Sequence, residues 1–477
     1  MSVIPCSLFQ DRQYLTQVLL ASQQKSRDTG YEHFVSISQK IAPLDPLLAL
    51  ELFGTPKQHY FYLENPTKNQ AIACFGAVAI DNNNSKNRFQ KSQDFIQYCQ
   101  KNTTSLGDLH LSGSGIYFCC GFSFFSYPQK KSYPFAASNI FLPQWQISRQ
   151  LEHSILVANL AINHRSDIDK LVTNLLQKFK QIVNISSHCY FSLKENSLQR
   201  IHQKLKQEIS YDNHKFKSAV TSALESIAHH EFQKIVLAQV RDLVSAHPFS
   251  VVSALDHLRG RYPDCYTFAF SNGTGATFIG ASPERLVSIK NQYLVTDALA
   301  GSAPRSRDLY LDQKLGHSLL HNQKERNEHQ TVVDFLDRAL RELGLNPQKL
   351  TTPNLLQLSN IQHLWTPISA KLDHDLHPLE ILAKLHPTPA VAGTPREIVS
   401  EEISRYEEFD RGLYAAPLGW IDQEGNSEFI VAIRSCLIEG CHAKLYAGAG
   451  IVAGSDPDRE LAEIDLKFQP LLQALTC

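Results

Sequence analysis

The chain has 477 residues, 43% of them hydrophobic and 19% charged, enough to bury one large core or two medium ones. Forty-six basic residues against forty-seven acidic ones leave a formal net charge of −1, which excludes a field strong enough to steer the protein onto nucleic acid or an anionic membrane. Ten cysteines without a CxxC pair argue against a zinc site or a disulfide framework, and no secretion signal or run of about 18 apolar residues stands out. The expectation is a cytoplasmic protein acting on a small molecule, monomeric because no apolar surface stripe is evident.

In chain order, Ala71 to Ile80 and Ile116 to Phe125 are strand-like in their β-branched and aromatic content, and Asp81 to Arg88 reads as an exposed loop. From Asn196 to Phe216 the composition turns polar and lysine-rich, a surface segment between two halves. Val220, Ala223, Leu224 and Ile227 recur at helical spacing, and Lys234 to Val240 changes to a strand. Tyr266 to Phe270 and Ala276 to Gly280 predict a hairpin, with Asn272 and Gly273 as its left-handed turn residues. A long helix is expected over Leu320 to Leu343. Glu428 to Ile433 and Ala443 to Ala447 read as paired strands, and a last helix over Pro457 to Leu475 has its start signal in Ser455 and Asp456. Mixed strands and helices without a strict βαβ rhythm point to an α/β protein of the α+β or layered sandwich kind.

Two carboxylate pairs carry the strongest chemical signal: Glu325 with Glu328 on one predicted helix and Glu460 with Glu463 on the last. Residues three apart share a helix face, and four carboxylates facing one another favour a hard cation such as Mg²⁺ between them. The spacing also suits ordinary solvated helix faces. Lys234 opens an apolar strand, where burial would lower its pKa and free a neutral amine, although a strand-end lysine can simply be exposed. Glu284 in Ala281-Ser-Pro-Glu-Arg285 follows a strand directly, suiting either an acid with a tuned pKa or a capping residue. His363 lies among apolar neighbours, as a core histidine or a site residue. Tyr414 and Arg434 suit a carboxylate grip or an equally ordinary structural role, and Gly393, Gly448, Gly450 and Gly454 let backbone N–H groups approach an anion. No phosphate-loop motif is present.

These segments resemble the chorismate-utilising enzyme family, which includes isochorismate synthase, salicylate synthase and the anthranilate synthase large subunit. The resemblance covers about residues 215 to 475. It rests on Lys234-Ile-Val-Leu-Ala, Gly280-Ala-Ser-Pro-Glu-Arg-Leu286, Leu299-Ala-Gly-Ser302, Lys324-Glu-Arg-Asn-Glu-His329, Leu385-His-Pro-Thr-Pro-Ala-Val-Ala-Gly-Thr-Pro395, Arg411-Gly-Leu-Tyr414 and Ala447-Gly-Ala-Gly-Ile451, then Glu460 to Lys467.

The resemblance implies a single large α/β unit, anthranilate synthase component I-like, with two β-sheets packed as a sandwich and helices outside. Residues 1–200 would be a variable half contributing to that sandwich and 201–477 the chorismate-binding catalytic region. It implies that Glu328 and Glu463 bind Mg²⁺, with Glu325 and Glu460 acting directly or through water. The metal would hold the ring carboxylate of chorismate, near Lys467. Tyr414 and Arg434 would grip the enolpyruvyl carboxylate, Gly448 would offer backbone N–H contacts, and Ser302 and His363 would line the substrate site.

Lysine at position 234 resembles the isochorismate and salicylate synthase branches rather than the aminating ones. Its implied role is to deprotonate a water attacking C2 of chorismate while Glu284 protonates the departing C4 hydroxyl. Ala390, where salicylate synthases tend to carry threonine, favours isochorismate as the product. Gln239 departs from many relatives, which have arginine there. Salicylate synthase with its pyruvate-lyase step remains the nearest rival, and a non-catalytic binding module on the same fold is a third reading. Quinone, siderophore and salicylate biosynthesis would each draw on isochorismate.

Overall fold

The computed structural model describes residue 9 and residues 11–127, 133–150, 153–188, 205–210, 213–359, 361–373 and 375–476. Its first half runs through α1 (Arg12–Thr29), β1 (His33–Ile41), α2 (Pro46–Phe53), β2 (His59–Asn65), β3 (Gln70–Asn83), α3 (Arg88–Lys101), β4 (Thr103–Gly107), β5 (Tyr117–Phe122), β6 (Ser138–Gln150), β7 (His153–Ile162) and α4 (Ile168–His188). Then come β8 (Leu205–Ser210), α5 (Asn213–Ala228), β9 (Lys234–Ser245), α6 (Val251–Arg261), β10 (Tyr266–Asn272), β11 (Ala276–Ser282), β12 (Arg285–Lys290), β13 (Tyr293–Pro304), α7 (Leu309–His321) and α8 (Gln323–Glu342). The chain closes with β14 (Gln348–Lys349), β15 (Asn354–Gln357), β16 (Ile361–Lys371), α9 (Pro378–Leu385), β17 (Gly393–Thr394), α10 (Arg396–Tyr406), β18 (Pro417–Asp422), β19 (Ser427–Val431), β20 (Ser435–Glu439), β21 (His442–Val452) and α11 (Pro457–Thr476).

Hydrogen-bond pairing arranges these strands in two limbs. One runs β4, β1, β7, β6, β3, β2, β10, β11, β20, β21, β9, β8. The other leaves β6 through β5, β18, β19, β12, β13 and β16, with β14 and β15 on the far edge of β16. The limbs join because β3 and β6 are long enough to belong to both: Trp145 to Gln150 pair with β7, whereas Ser138 to Phe141 pair with β5. A register shift between Ala77 and Ala79 bends β3 at the junction, next to Gly76 at φ 69°. The limbs pack face to face. Gly121 of β5 lies against the ring of Phe270 of β10, which also meets Phe61 and Phe141, and all three phenylalanines are fully buried. Helices cover the outside, with α8 on β13 and β16 and α11 on β21. The α/β sandwich expected from the sequence is therefore the fold, except that its two expected sheets are limbs of one continuous hydrogen-bonded sheet, and both halves of the chain build it. No described helix is long and apolar enough to cross a membrane.

Several local expectations need correction. The helix expected over Leu320 to Leu343 is broken at Asn322, whose side chain accepts the Glu325 N–H at 3.2 Å and caps α8. The strand holding Glu428 pairs with β12 and β18, whereas β21 pairs with β20 and β9, so these two strands lie in different limbs. In the hairpin turn Gly273 and Gly275 take the positive φ angles, 74° and 108°, and Asn272 does not. Strand β3 continues to Asn83, and Arg88 is buried with Nη1 donating to Ser123 Oγ at 2.9 Å, which shortens the expected loop to 84–87. Of the polar segment over Asn196 to Phe216, residues 196–204 and 211–212 lie outside the described residues, while 205–210 form β8 on the edge of β9.

Candidate active site

A single cavity between the two limbs is lined by Glu284, Ser302, Glu328, His363, Ala390, Tyr414, Arg434, Gly448, Glu463 and Lys467. Lys234 and Glu325 stand just behind this lining, bonded to Glu328 and to the Ser302 N–H, and Glu460 lies one helical turn before Glu463 and feels its charge. These residues thus converge on one place, although they come from ten separate segments, whereas Gly393 and Gly454, also singled out from the sequence, do not line it.

Lys234 is buried at the start of β9, and its Nζ lies 2.7 Å from Glu328 Oε1. The sequence did not foresee this ion pair. Gly450 makes room for it, since a Cβ there would stand 3.1 Å from Lys234 Cε and 3.5 Å from Glu328 Oε1. Glu284 sits in the short connection between β11 and β12. Its N–H donates to Ser282 Oγ at 3.2 Å and its carbonyl accepts from Val431 N–H at 3.0 Å, fixing the backbone. Burial, reinforced by the nearby charge of Asp297 and opposed by Lys234 and Arg434, pushes its carboxyl up to about 8. A carboxyl in that state holds its proton at neutral pH and can give it away.

Arg434 lies between β19 and β20 at φ 50°, left-handed for a residue with a side chain. Its carbonyl accepts from Ala281 N–H at 3.1 Å, and a Cβ at Gly280 would come within 2.6 Å of that oxygen. Tyr414 stacks on Tyr446 with ring centroids 5.3 Å apart, and burial pushes its phenol up. Gly448 lies beneath it, where a Cβ would stand 2.7 Å from the phenolic oxygen. Lys467 reaches back to donate to the Gly448 carbonyl at 2.7 Å, so the contact seen at this glycine runs through its C=O rather than its N–H.

His363 pairs through Nδ1 with Ser302 Oγ at 2.8 Å, while its buried Nε2 has no partner. Burial, with Arg434 and Lys467 adding, lowers the ring to about 3 and keeps it neutral. The β-bulge between Ala300 and Ser302, with Gly301 at φ 75°, turns the Ser302 N–H onto Glu325 Oε2 at 3.1 Å. Ala390 and Val391 form the wall next to Val236.

Glu325 and Glu328 stand on α8 and Glu460 and Glu463 on α11, and Glu325 feels the charge of Glu463 across the two helices. Glu325 and Glu328 begin α8, where the helix dipole favours negative charge. Burial pushes Glu325 up, with Glu328 and Glu463 adding, and burial pushes Glu460 up against a hydrogen bond from Ser455. Glu463 is instead held down, chiefly by Lys467, 2.7 Å away. Oxygen donors without thiolate or imidazole suit a hard divalent cation, and the crowding felt by Glu325 and Glu460 is what such a cation relieves. Among the described residues no three His, Cys, Asp or Glu side chains are already gathered as a metal cage. Glu328 and Glu463 are engaged by lysines instead.

Three participants had no role in the sequence reading. Asp297 holds Arg285 at 2.9 Å and the Trp365 indole N–H at 2.9 Å while raising Glu284. Tyr446 backs Tyr414, and Glu407 pairs with Arg411. Arg411, the partner of Glu407, did leave a local trace, as a charge within the largely apolar run from Phe409 to Leu418 that has to find a buried partner.

Residues 18–476 match the family model for chorismate binding enzymes. The chain belongs to that family. This chorismate binding enzyme is 30% identical over 466 residues to isochorismate synthase MenF of Bacillus subtilis, covering 96% of each chain. It is 41% identical over 267 residues to the salicylate biosynthesis isochorismate synthase of Pseudomonas aeruginosa, covering 56% of this chain and 55% of that protein. Among solved structures it is similar to MenF, the menaquinone-specific isochorismate synthase of Escherichia coli, with a TM-score of 0.77 at 26% identity, over 96% of this chain and 100% of that one.

Proposed function

We propose that this protein is an isochorismate synthase, with Lys234 as general base and Glu284 as general acid. The observation that carries the reading is a buried carboxyl pushed up to about 8, Glu284, on a cavity that also receives the buried Lys234 through Glu328. Arg434 and Tyr414 offer a charged fork and a phenol for the enolpyruvyl carboxylate of chorismate. Lys234 leaves Glu328, passes its ammonium proton to solvent and, as the neutral amine, takes a proton from the attacking water. The water oxygen bonds to C2, the two ring double bonds each move one position, and the C4–O bond breaks as Glu284 delivers its proton, releasing water. Neutral His363, with Nε2 unpartnered, offers a polar contact for a substrate oxygen. A methyl at Ala390 leaves that wall without a hydroxyl to assist pyruvate loss.

Glu328 and Glu463 would hold Mg²⁺, with Glu325 and Glu460 beside them. When bound, the cation supplies positive charge to the ring carboxylate of the substrate. The same reading takes the protein as a cytoplasmic monomer without nucleic-acid or membrane partners, which size-exclusion chromatography with light scattering tests for the oligomeric part.

The deciding experiment incubates purified protein with chorismate, with and without Mg²⁺, and separates isochorismate, salicylate, anthranilate and pyruvate chromatographically. Mg²⁺-dependent isochorismate without pyruvate is expected. Salicylate with equimolar pyruvate would move the protein to the lyase branch, and absence of any product would leave a binding module.

A further inference from the structure

Among the described residues strand β9 has an incomplete edge. On one side β21 pairs with it from Lys234 to Val244. On the other, β17 meets only Lys234 and Ile235, and β8 begins at Arg241. Among the described residues no strand covers the stretch between, yet three of its outward-facing backbone groups are satisfied. Val236 N–H donates to the Ala392 carbonyl at 2.8 Å. The Val236 carbonyl accepts from Arg411 Nη2 at 2.7 Å, and Ala238 N–H donates to Glu407 Oε1 at 2.8 Å.

Arg411 and Glu407 are themselves joined in a fork, Nε to Oε2 at 2.8 Å and Nη2 to Oε1 at 2.6 Å. Arg411 Nη1 donates to the Val391 carbonyl at 2.9 Å, and the guanidinium lies 4.4 Å from the Phe124 ring centroid. The arginine is 0% exposed. One donor and one acceptor offered side by side are what a neighbouring strand presents to an edge.

We infer that the Glu407–Arg411 ion pair is a surrogate strand, a positioning device that completes the ladder of the strand carrying Lys234 and ties it to two other walls of the cavity. The first of those walls is Ala390–Val391, held through the Val391 carbonyl. The second is Tyr414, whose N–H donates to the Arg411 carbonyl at 2.8 Å. A buried ion pair adds little net stability over packed apolar side chains. What an apolar replacement cannot reproduce is the pair of directional bonds to Val236 and Ala238, two and four residues beyond Lys234. The catalytic part of the inference rests on the reading of Lys234 as the base.

The test is residue-resolved amide hydrogen exchange with steady-state kinetics on chorismate. In the wild-type protein the Ala238 amide is expected to be protected to the same degree as those of Leu237 and Gln239, which face β21. Glu407→Gln turns an amide donor toward donors, so Ala238 should lose its protection selectively, with kcat falling about 10²-fold and KM changing much less, as for a small misplacement of a reacting group. If that variant does not fold, Glu407→Asp, which keeps the charge but is one methylene short, is measured in the same way, and the wild-type exchange pattern stands as a test in either case. Fast exchange at Ala238 in the wild type overturns the inference. So does a folded variant with Ala238 unprotected and kcat at the wild-type level. Should Lys234→Ala retain activity, the base assignment fails, while the exchange pattern at Ala238 still reports on the surrogate strand alone.

Discussion

Replacing Glu284 by glutamine should make the protein more stable and nearly inactive at once. The folded chain pushes this carboxyl up to about 8 from an ordinary 4.5. Because the folded state binds the proton more tightly than the unfolded chain, ionisation works against folding. The penalty is absent below pH 4.5, grows by about 1.4 kcal/mol per pH unit, and levels off above pH 8. At pH 7 it amounts to about 3 kcal/mol, an order-of-magnitude figure, or about 3 °C in melting midpoint for a chain of this length. Glutamine cannot ionise, so Glu284→Gln recovers that stability at pH 7 and above and recovers almost none at pH 4. It has no proton to give to the C4 oxygen, and kcat should fall by about 10²- to 10⁴-fold. In the wild type the acid form accounts for about nine-tenths of molecules at pH 7 and about one-tenth at pH 9, so kcat should decline about tenfold per unit above pH 8. Chorismate turnover from pH 6 to 10 and thermal melts at pH 4, 7 and 9 check both halves. A variant that turns over at the wild-type rate, or a wild-type rate that rises through pH 9, would refute the acid role.

Lys234→Ala should cost about 10²- to 10⁴-fold in turnover. It should also destabilise the fold by about 3 kcal/mol, because it strands Glu328 without its cation, a loss measurable by denaturant titration. Gly448→Ala places a methyl against the Tyr414 hydroxyl, and the displaced phenol should raise KM for chorismate about tenfold with a smaller change in kcat, read from initial rates. A chelator should abolish turnover in the wild type and Mg²⁺ restore it, whereas Glu463→Ala should stay inactive at every Mg²⁺ concentration; stimulation of that variant by the metal would place the cation elsewhere.

Local signals in the sequence served well where structure is local. The last helix begins at Pro457 behind Ser455 and Asp456, because capping is decided within a few residues. The hairpin over Tyr266 to Gly280 is equally self-contained. Partner choice between distant strands is not. The strands at Glu428 and at Ala443 carry the same apolar character, and nothing within either says that β12, β18, β20 and β9 are their neighbours. The broken helix at Asn322 was hidden because helical periodicity continues on both sides of it, although an asparagine three residues before Glu325 is a good cap. The site residues came from ordered motifs, and the geometry gathers them. Their partners did not come with them: Glu328 on Lys234, Asp297 beside Glu284 and Glu407 on Arg411 are relations across the fold, with no period or spacing to announce them.

Those partners also balance the charges gathered at the cavity. Lys234 is matched by Glu328 and Lys467 by Glu463, and Glu284 keeps its proton. Glu325 and Glu460 are pushed up by burial and by their neighbours. Chorismate brings two carboxylates, which alone would overload this arrangement with negative charge. A divalent cation alone would draw Glu328 and Glu463 away from their lysines and leave two ammonium groups uncompensated in a low-dielectric site. On the proposed function, substrate and cation together would add no net charge, so each would lower the electrostatic cost of binding the other, and by linkage the coupling would be equal in both directions. Under the proposed function the lysine–glutamate pairs would be exchanged for new partners when substrate and cation arrive together.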